Sequence, residues 1–459
     1  MNSVPLKNAA FKPSTTVRSK RATKAAGVDW LGEIPAAWEV RRLKNCVVEP
    51  LKYGANESAE LDDRALPRYV RITDIDEAGG LRDETFKSLP IEVAEPYLLK
   101  EGDVLLARSG ATVGKSFIYS KQWGTACFAG YLIRARLRTA NCLAQWLYYY
   151  CQTNEYWDYV VGSQIQTTIQ NVSAEKYANL YLPIPPITEQ TAIIKFLSKA
   201  LAKLDALVEK QRRLIQLLKE QRSAFITHAV TKGLDPATPM KPSGVEWLGD
   251  VPAHWAVKPL KRIVSIPITD GPHETPQFIE EGVPFVSAEA VSSGSINFSR
   301  VRACISEEDN ARYSLKYVPK LHDIYLVKSG ATTGVTAIVE DRTDFNIWSP
   351  LAAIRCNSNS VPHFVLNFMR SRQFLEAITL HWSFGTQQNI GMGVIESLAC
   401  TVPPLAEQIK IANALECKTA KIDALIHKAE TVIDRLSEYR QSLISAAVTG
   451  KIQITEGTE

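Results

Sequence analysis

The sequence predicts a mixed α/β chain built twice. Two globular domains are each followed by a long helix, and the two helices pair antiparallel as a coiled coil about a pseudo-two-fold axis. Three observations predict this. Blocks at both ends of each half recur, each half closes on a heptad-patterned stretch without Pro or Gly, and a strand–glycine turn–strand pattern occurs once in each half. Such self-similarity is read before any motif, because it fixes the architecture.

The repeat is explicit. "GVDWLGEIPAAWEVRRLK" (27–44) returns as "GVEWLGDVPAHWAVKPLK" (244–261), matching Trp30 with Trp247, Gly32 with Gly249, Pro35 with Pro252 and Trp38 with Trp255. "PPITEQTAIIKFLSKALAKLDALVEK" (185–210) matches "PPLAEQIKIANALECKTAKIDALIHK" (403–428), and "AVTKG" (229–233) matches "AVTGK" (447–451). The middles of the halves have diverged while their ends have not. The four tryptophans of the opening motif are expected to pack each domain onto the helices, since large aromatics dominate cores.

In chain order, residues 1–27 form a basic arm, with Lys7, Lys12, Arg18, Lys20, Arg21 and Lys24 and no acid. That composition reads as disordered, either a solvated tail or an arm that contacts phosphates. A first domain spans 28–187 and a spacer helix 188–232. A proline-rich linker (233–244) leads to a second domain (245–403), a second helix (404–451) and a tail (452–459).

Within the first domain, "LLARSGATVGKSFI" (105–118) resembles a phosphate loop. That loop is G-x-x-x-x-G-K-[ST] followed by a helix. Here Ser109 stands at the first glycine, and the other copy, "YLVKSGATTGVTAI" (325–338), has Val335 where Lys115 stands and continues into strand-formers. A hairpin suits both copies better.

The helices follow from spacing. Ile193, Leu197, Leu201, Leu204, Val208, Ile215, Leu218 and Phe225 fall at alternating four- and three-residue steps, as do Ile411, Leu415, Ile422, Ile426, Ile433, Leu436 and Leu443. This is a heptad seam, and each helix buries its stripe most simply against the other. Polar breaks at Arg222 and Arg440 coincide between copies, as expected of register-fixing residues. Glu189-Gln190 and Glu407-Gln408 open the helices, where capping and dipole complementarity account for them. Pairing of this kind would send the two domains to opposite ends of a spacer.

Composition excludes several classes. The chain of 459 residues is 45% hydrophobic and 22% charged, an ordinary globular balance. No apolar run approaches the ~18 residues that span a bilayer. Eight cysteines without a CxxC pair, and seven dispersed histidines, point to a reduced, cytoplasmic protein without a zinc site. The net charge of +4 is too small to identify a nucleic-acid partner by itself.

Two amide-rich stretches each precede a helical region: "GSQIQTTIQNVS" (162–173) and "GTQQNIGMGVIES" (385–397). Asn and Gln amides pair with adenine edges, and Arg or Lys with guanine; ordinary surface loops share this composition. A duplicated reader with diverged heads would read an asymmetric, two-part DNA site.

Taken together, the doubled "WLG-(E/D)-(I/V)-P-x-x-W", "GDVLLARSGATVG", "DGPHETP" (270–276), "PP(I/L)xEQ" heading a long helix, and "AVTKGLDP...SGVEWLG" resemble the specificity subunit of type I restriction–modification enzymes. The resemblance covers nearly all of the chain after the arm. It implies two DNA target-recognition domains on antiparallel spacer helices, and no catalysis or cofactor of the chain's own. It also implies docking of two methyltransferase subunits and, in the full complex, restriction/translocase subunits. Those partners would use S-adenosylmethionine, ATP and Mg, the DNA would be double-stranded, and no membrane would be involved. The chain contains no Asn-Pro-Pro-Tyr or Asp-Pro-Pro-Tyr motif for a flipped adenine, so the pocket that base methylation requires must be a partner's.

Candidate DNA contacts in the first domain are Arg71, Thr73, Arg108, Ser109, Thr112, Lys115, Gln164, Gln166, Thr167 and Gln170. In the second they are His273, Thr275, Ser287, Lys328, Ser329, Thr332, Gln387, Gln388 and Asn389. Two other readings compete: a coiled-coil adaptor that never touches DNA, and an NTPase that uses residues 109–116.

Overall fold

The structure is a computed structural model, which describes residues 21–454 apart from 59, 77–78, 164–170, 293, 382 and 385–387. The chain divides into two compact units, Met1–Lys210 with Val432–Glu459, and Gln211–Thr431. Two helices dominate, α1 (Ile187–Lys232) and α2 (Leu405–Val448), of 46 and 44 residues. Each unit therefore holds one globular head, the leading part of one helix and the trailing part of the other.

The heads share a plan. The first is built on β1 (Lys52–Tyr53), β2 (Val104–Ala107), β3 (Ser116–Ile118) and β4 (Leu132–Ala135), in an antiparallel sheet of order β1-β4-β2-β3. The second uses β5 (Thr269–Asp270), β6 (Ile324–Val327), β7 (Thr336–Ile338) and β8 (Leu351–Ile354), in the equivalent order β5-β8-β6-β7. Both β2 and β6 are buried along their whole length, so they read as continuous apolar runs rather than alternating ones. Gly54 and Gly271 follow β1 and β5. A Cβ at either would run into a backbone carbonyl, that of Phe128 or of Ile347, so the chain passes there only as glycine.

Each sheet is tied down by the same buried ion pair. Arg136 donates to both oxygens of Asp103 at 2.8 and 2.7 Å, and Arg355 donates to both of Asp323 at 2.7 Å. In both heads the Asp also accepts a backbone N–H at 2.8 Å, from Lys100 or from Lys320. Hydrogen bonding to the carboxylate holds each of these guanidiniums above its usual pKa. Bidentate pairing of this kind fixes geometry as well as charge.

The expected seam residues are all buried or half-buried. In the first unit Ile193, Leu197, Leu201 and Leu204 share a core with Ile444, Ala447, Val448 and Trp38. In the second, Ile411 and Leu415 share one with Ile226, Val230 and Trp255. The polar breaks turn out to be cross-helix partners. Arg440 Nε lies 3.6 Å from Asp205 Oδ1 in the first unit, and Arg222 Nε lies 3.0 Å from Asp423 Oδ1 in the second. Also in the second unit, Lys418 Nζ sits over the Phe225 ring at 5.4 Å. Advancing from 222 to 225 on α1 thus means retreating from 423 to 418 on α2, which makes the pair antiparallel.

Two expectations need correction. The arm does not run unstructured to residue 27, because Thr23–Ala25 pairs antiparallel with Glu33–Pro35. The linker 233–244 carries the matching strand: Met240–Pro242 pairs with Asp250–Pro252 in the same register. The repeat therefore begins before the opening motif. Lastly, the Gln residues that head the helices are not caps. Gln190 is buried; its Oε1 accepts from Leu143 N–H at 2.9 Å, and its Nε2 donates to the carbonyls of Asn141 and Pro185 at 3.0 and 2.9 Å. Gln408 repeats this with Val361 N–H, Asn359 O and Pro403 O at 2.8, 3.1 and 2.9 Å. The neighbouring glutamates anchor the opening motif: Glu189 accepts from Trp38 Nε1 at 3.0 Å and from Arg21, and Glu407 pairs with His254 at 2.7 Å.

Candidate nucleic-acid interface

The residues after β2 and β6 make the same turn. In the first head Ala107 and Lys115 close the hairpin (N to O, 2.8 Å), Val113 N–H donates to Gly110 O, and Lys115 N–H donates to Thr112 O. In the second head Val327 closes on Val335 at 2.8 Å, and Thr333 and Val335 N–H groups donate to Gly330 and Thr332. The φ of Gly110 is +79° and that of Gly330 +102°, backbone that L side chains rarely adopt. Gly114 is required for a second reason: a Cβ there would meet the Trp157 ring. The GKS run returns into strand β3, not into a helix. The row of helical N–H groups that cradles phosphate in a nucleotide-binding loop is therefore not assembled at this turn.

Each turn is joined to the amide-rich stretch of its own head. Val172 N–H donates to Arg108 O and Ile390 N–H to Lys328 O, both at 2.8 Å. Ser109 pairs with Asn171, and Ser329 with Asn389, each as a single β-bridge. The structure thus brings together the two features the sequence singles out in each head. Ser109, Thr112, Ser329 and Thr332 are half-buried on the turns, and Lys115 is exposed. Gln164, Gln166, Thr167, Gln170 and Gln387 lie outside the described residues, and the Gln388 side chain is not described; Asn389 is exposed.

Other candidates have structural duties. Arg71 is bound to the Asp74 carboxylate through Nε and Nη2 at 3.1 and 2.7 Å and to Thr85 O at 2.7 Å, which closes a short turn. Thr73 is exposed beside it, and its carbonyl accepts from Arg82. Ser287 precedes the short helix Ala288–Val291 without capping it through its side chain. Thr275 and His273 are exposed on the "DGPHETP" segment.

Electrostatically, the second head is organised around Asp270. Its carboxylate receives Lys316 Nζ at 2.6 Å, Lys328 Nζ at 3.1 Å and His273 Nε2 at 3.0 Å. Burial pushes this carboxyl up, but the hydrogen bonds from Lys316 and Lys328 outweigh burial and hold it below the ordinary value. In the first head the structurally equivalent position is Tyr53. Its ring lies under the Arg108 guanidinium at 4.7 Å, and its hydroxyl accepts from Ala174 N–H at 2.9 Å. Sequence reasoning missed Tyr53. The only signal for it was a residue followed by an obligatory glycine in both halves, Tyr-Gly and Asp-Gly.

Residues 37–217 match the family described as the type I restriction modification DNA specificity domain. The likeness extends further along the chain. The type I restriction enzyme MjaVIII specificity subunit of Methanocaldococcus jannaschii is 22% identical over 429 residues, covering 92% of this chain and 94% of its own length. The EcoKI specificity subunit of Escherichia coli K12 is 21% identical over 444 residues, 92% of this chain and 90% of that one. Over nine-tenths of its length the chain is similar to type I specificity subunits. Among solved structures, a chain from a study of complex assembly and conformational transition of the type I R-M system superposes with a TM-score of 0.64 at 18% identity, covering 91% of this chain and 99% of that one. The HsdS subunit of Thermoanaerobacter tengcongensis gives 0.51 at 16% identity, covering 91% and 98%. These superpositions show a shared fold, mixed α/β heads carried on long helices. Among the described residues no helix is long and apolar enough to cross a membrane, and no group of three or more His, Cys, Asp and Glu could hold a metal. All eight cysteines are free thiols, and burial pushes those of Cys127 and Cys356 up to about 12.

Proposed function

We infer that this chain is the DNA-recognition subunit of a type I restriction–modification complex, reading a two-part asymmetric site with one half-site per head. The observation that carries this is the paired turn. Both heads present the same Ser-Gly-Ala-Thr turn, bridged to an amide-rich segment, yet the residues set against it differ: Tyr53 under Arg108 against Asp270 on Lys328, and Lys115 against Val335. A common scaffold with unlike side chains suits recognition of unlike base sequences, because base edges are told apart by donor and acceptor pattern while phosphate contacts only position.

In this reading the chain supplies the address and performs no chemistry. Two methyltransferase subunits dock on it, and restriction/translocase subunits join in the full cytoplasmic complex. S-adenosylmethionine, ATP and Mg belong to those partners. The test is to map methylated adenines in DNA from cells expressing this chain with its methyltransferase partner. Two short blocks at a fixed gap, different in sequence, are expected; a single block or a palindrome overturns the reading.

A further inference from the structure

We propose that Arg108 reads a guanine in the half-site of the first head, with Tyr53 as its positioning residue, and that the second head has no counterpart because Lys328 is held by Asp270. The proposal rests on the DNA-recognition reading above and adds a base and a residue to it.

Arg108 and Lys328 occupy one backbone position. Each follows an inner strand of its sheet (β2 or β6), donates its N–H to a carbonyl ahead of β4 or β8 (Tyr131 at 3.0 Å, Pro350 at 2.8 Å), and accepts from a residue of the amide-rich stretch, Val172 or Ile390. Each also meets the last residue of the same two-residue strand, Tyr53 of β1 or Asp270 of β5. What differs is the chemistry of that meeting.

A carboxylate takes the charge and the donors of the lysine. Lys328 is buried, and its ammonium faces a carboxylate that also holds Lys316 and His273. An aromatic ring takes neither. With its Cζ 4.7 Å from the centre of the Tyr53 ring, the half-buried guanidinium of Arg108 is held by an aromatic surface that takes up none of its N–H donors. No residue among those described accepts from its side chain, and its buried Nε has no partner. A planar fork held rigidly, with donors unspent, matches the O6 and N7 acceptors of guanine in the major groove. A phosphate needs only charge, and neither ring nor fork would be required for it.

The experiment uses the chain purified with its methyltransferase subunits and duplexes carrying the methylation-mapped site. Each guanine is replaced in turn by 7-deazaguanine, which removes N7. Wild type is expected to lose roughly tenfold or more at one guanine of one half-site. Arg108→Ala and Arg108→Lys are expected to bind that duplex and the unmodified one equally, whereas Lys328→Ala still discriminates there. Arg108→Lys keeps the charge, and thermal melting of both variants confirms folding. If Arg108→Ala weakens every duplex by one common factor, with a shallower salt dependence, the residue contacts phosphate and the proposal falls. It falls equally if neither half-site contains a guanine sensitive to N7. A wild-type complex with no sequence preference sinks the DNA-recognition reading itself, and that outcome is visible before any variant is made.

Discussion

In the first head Asp103 grips Arg136, and in the second Asp323 grips Arg355, with the same two bonds and the same third bond from a backbone N–H. A few residues further along each hairpin the heads part: Arg108 lies on a tyrosine ring, and Lys328 is clamped by an aspartate. The contrast teaches where the duplication was free to vary. Positions that close the sheet, seat the helix or turn the chain kept their residues. The turn kept its Ser-Gly-Ala-Thr, while the residue beneath it (Tyr53 or Asp270) and the one that leaves it (Lys115 or Val335) took new chemistry.

The largest test of that division exchanges the whole of residues 28–187 for another head of the family. One half of the recognised sequence should change completely and the other not at all, as read by methylated-adenine mapping. A change in both halves would break the separation of the heads.

Next in size, Gln190→Leu and Gln408→Leu should destabilise their units equally. Each strands two carbonyls and one N–H, at about 1–3 kcal/mol per buried group left unpaired, so a loss of about 3–5 kcal/mol is expected in chemical denaturation. Unequal losses would show that the two attachments are not equivalent after all.

Asp270→Asn sharpens the contrast at the turn. The Asp270 pKa is depressed on folding, so its stabilisation is fully present above the unfolded value of about 3.9 and is lost as pH falls through the lower folded value. The variant should be about 1–2 kcal/mol less stable than wild type at neutral pH, on the scale of hydrogen bonds to charged groups. The two should converge below roughly pH 4. Tyr53→Phe, which removes a neutral hydroxyl, should show no such convergence.

The smallest effect belongs to the cross-helix pairs. Arg222 and Asp423 are both substantially exposed, at 33% and 52% for their side chains. Their coupling in a double-mutant cycle should be about 0.5 kcal/mol and fade with salt.

Much of this was legible in the sequence, for identifiable reasons. Helix spacing announces itself over 46 residues, and the hairpin follows once the second copy replaces Lys115 with Val335. The braces under the turn were not legible. They lie on two-residue strands, where no periodicity can form, and they share no chemistry between copies. The arm was misread because Thr23–Ala25 and Met240–Pro242 have only the central lysine in common. What makes both strands is pairing with Glu33–Pro35 and Asp250–Pro252, a tertiary cause. Gln190 looked like a cap because its position fits one, and two of its three partners come from a loop 47 and 49 residues away.

The manner in which Gln190 and Gln408 hold the heads has an evolutionary corollary. Every group they grasp belongs to the main chain: the amides of Leu143 and Val361, and the carbonyls of Asn141, Pro185, Asn359 and Pro403. A fastening that ignores side chains is blind to the identity of what it fastens. Any foreign module that delivers one N–H and two carbonyls to those points can be seated on the same stem. New specificities can then arise by recombination, without redesigning the joint.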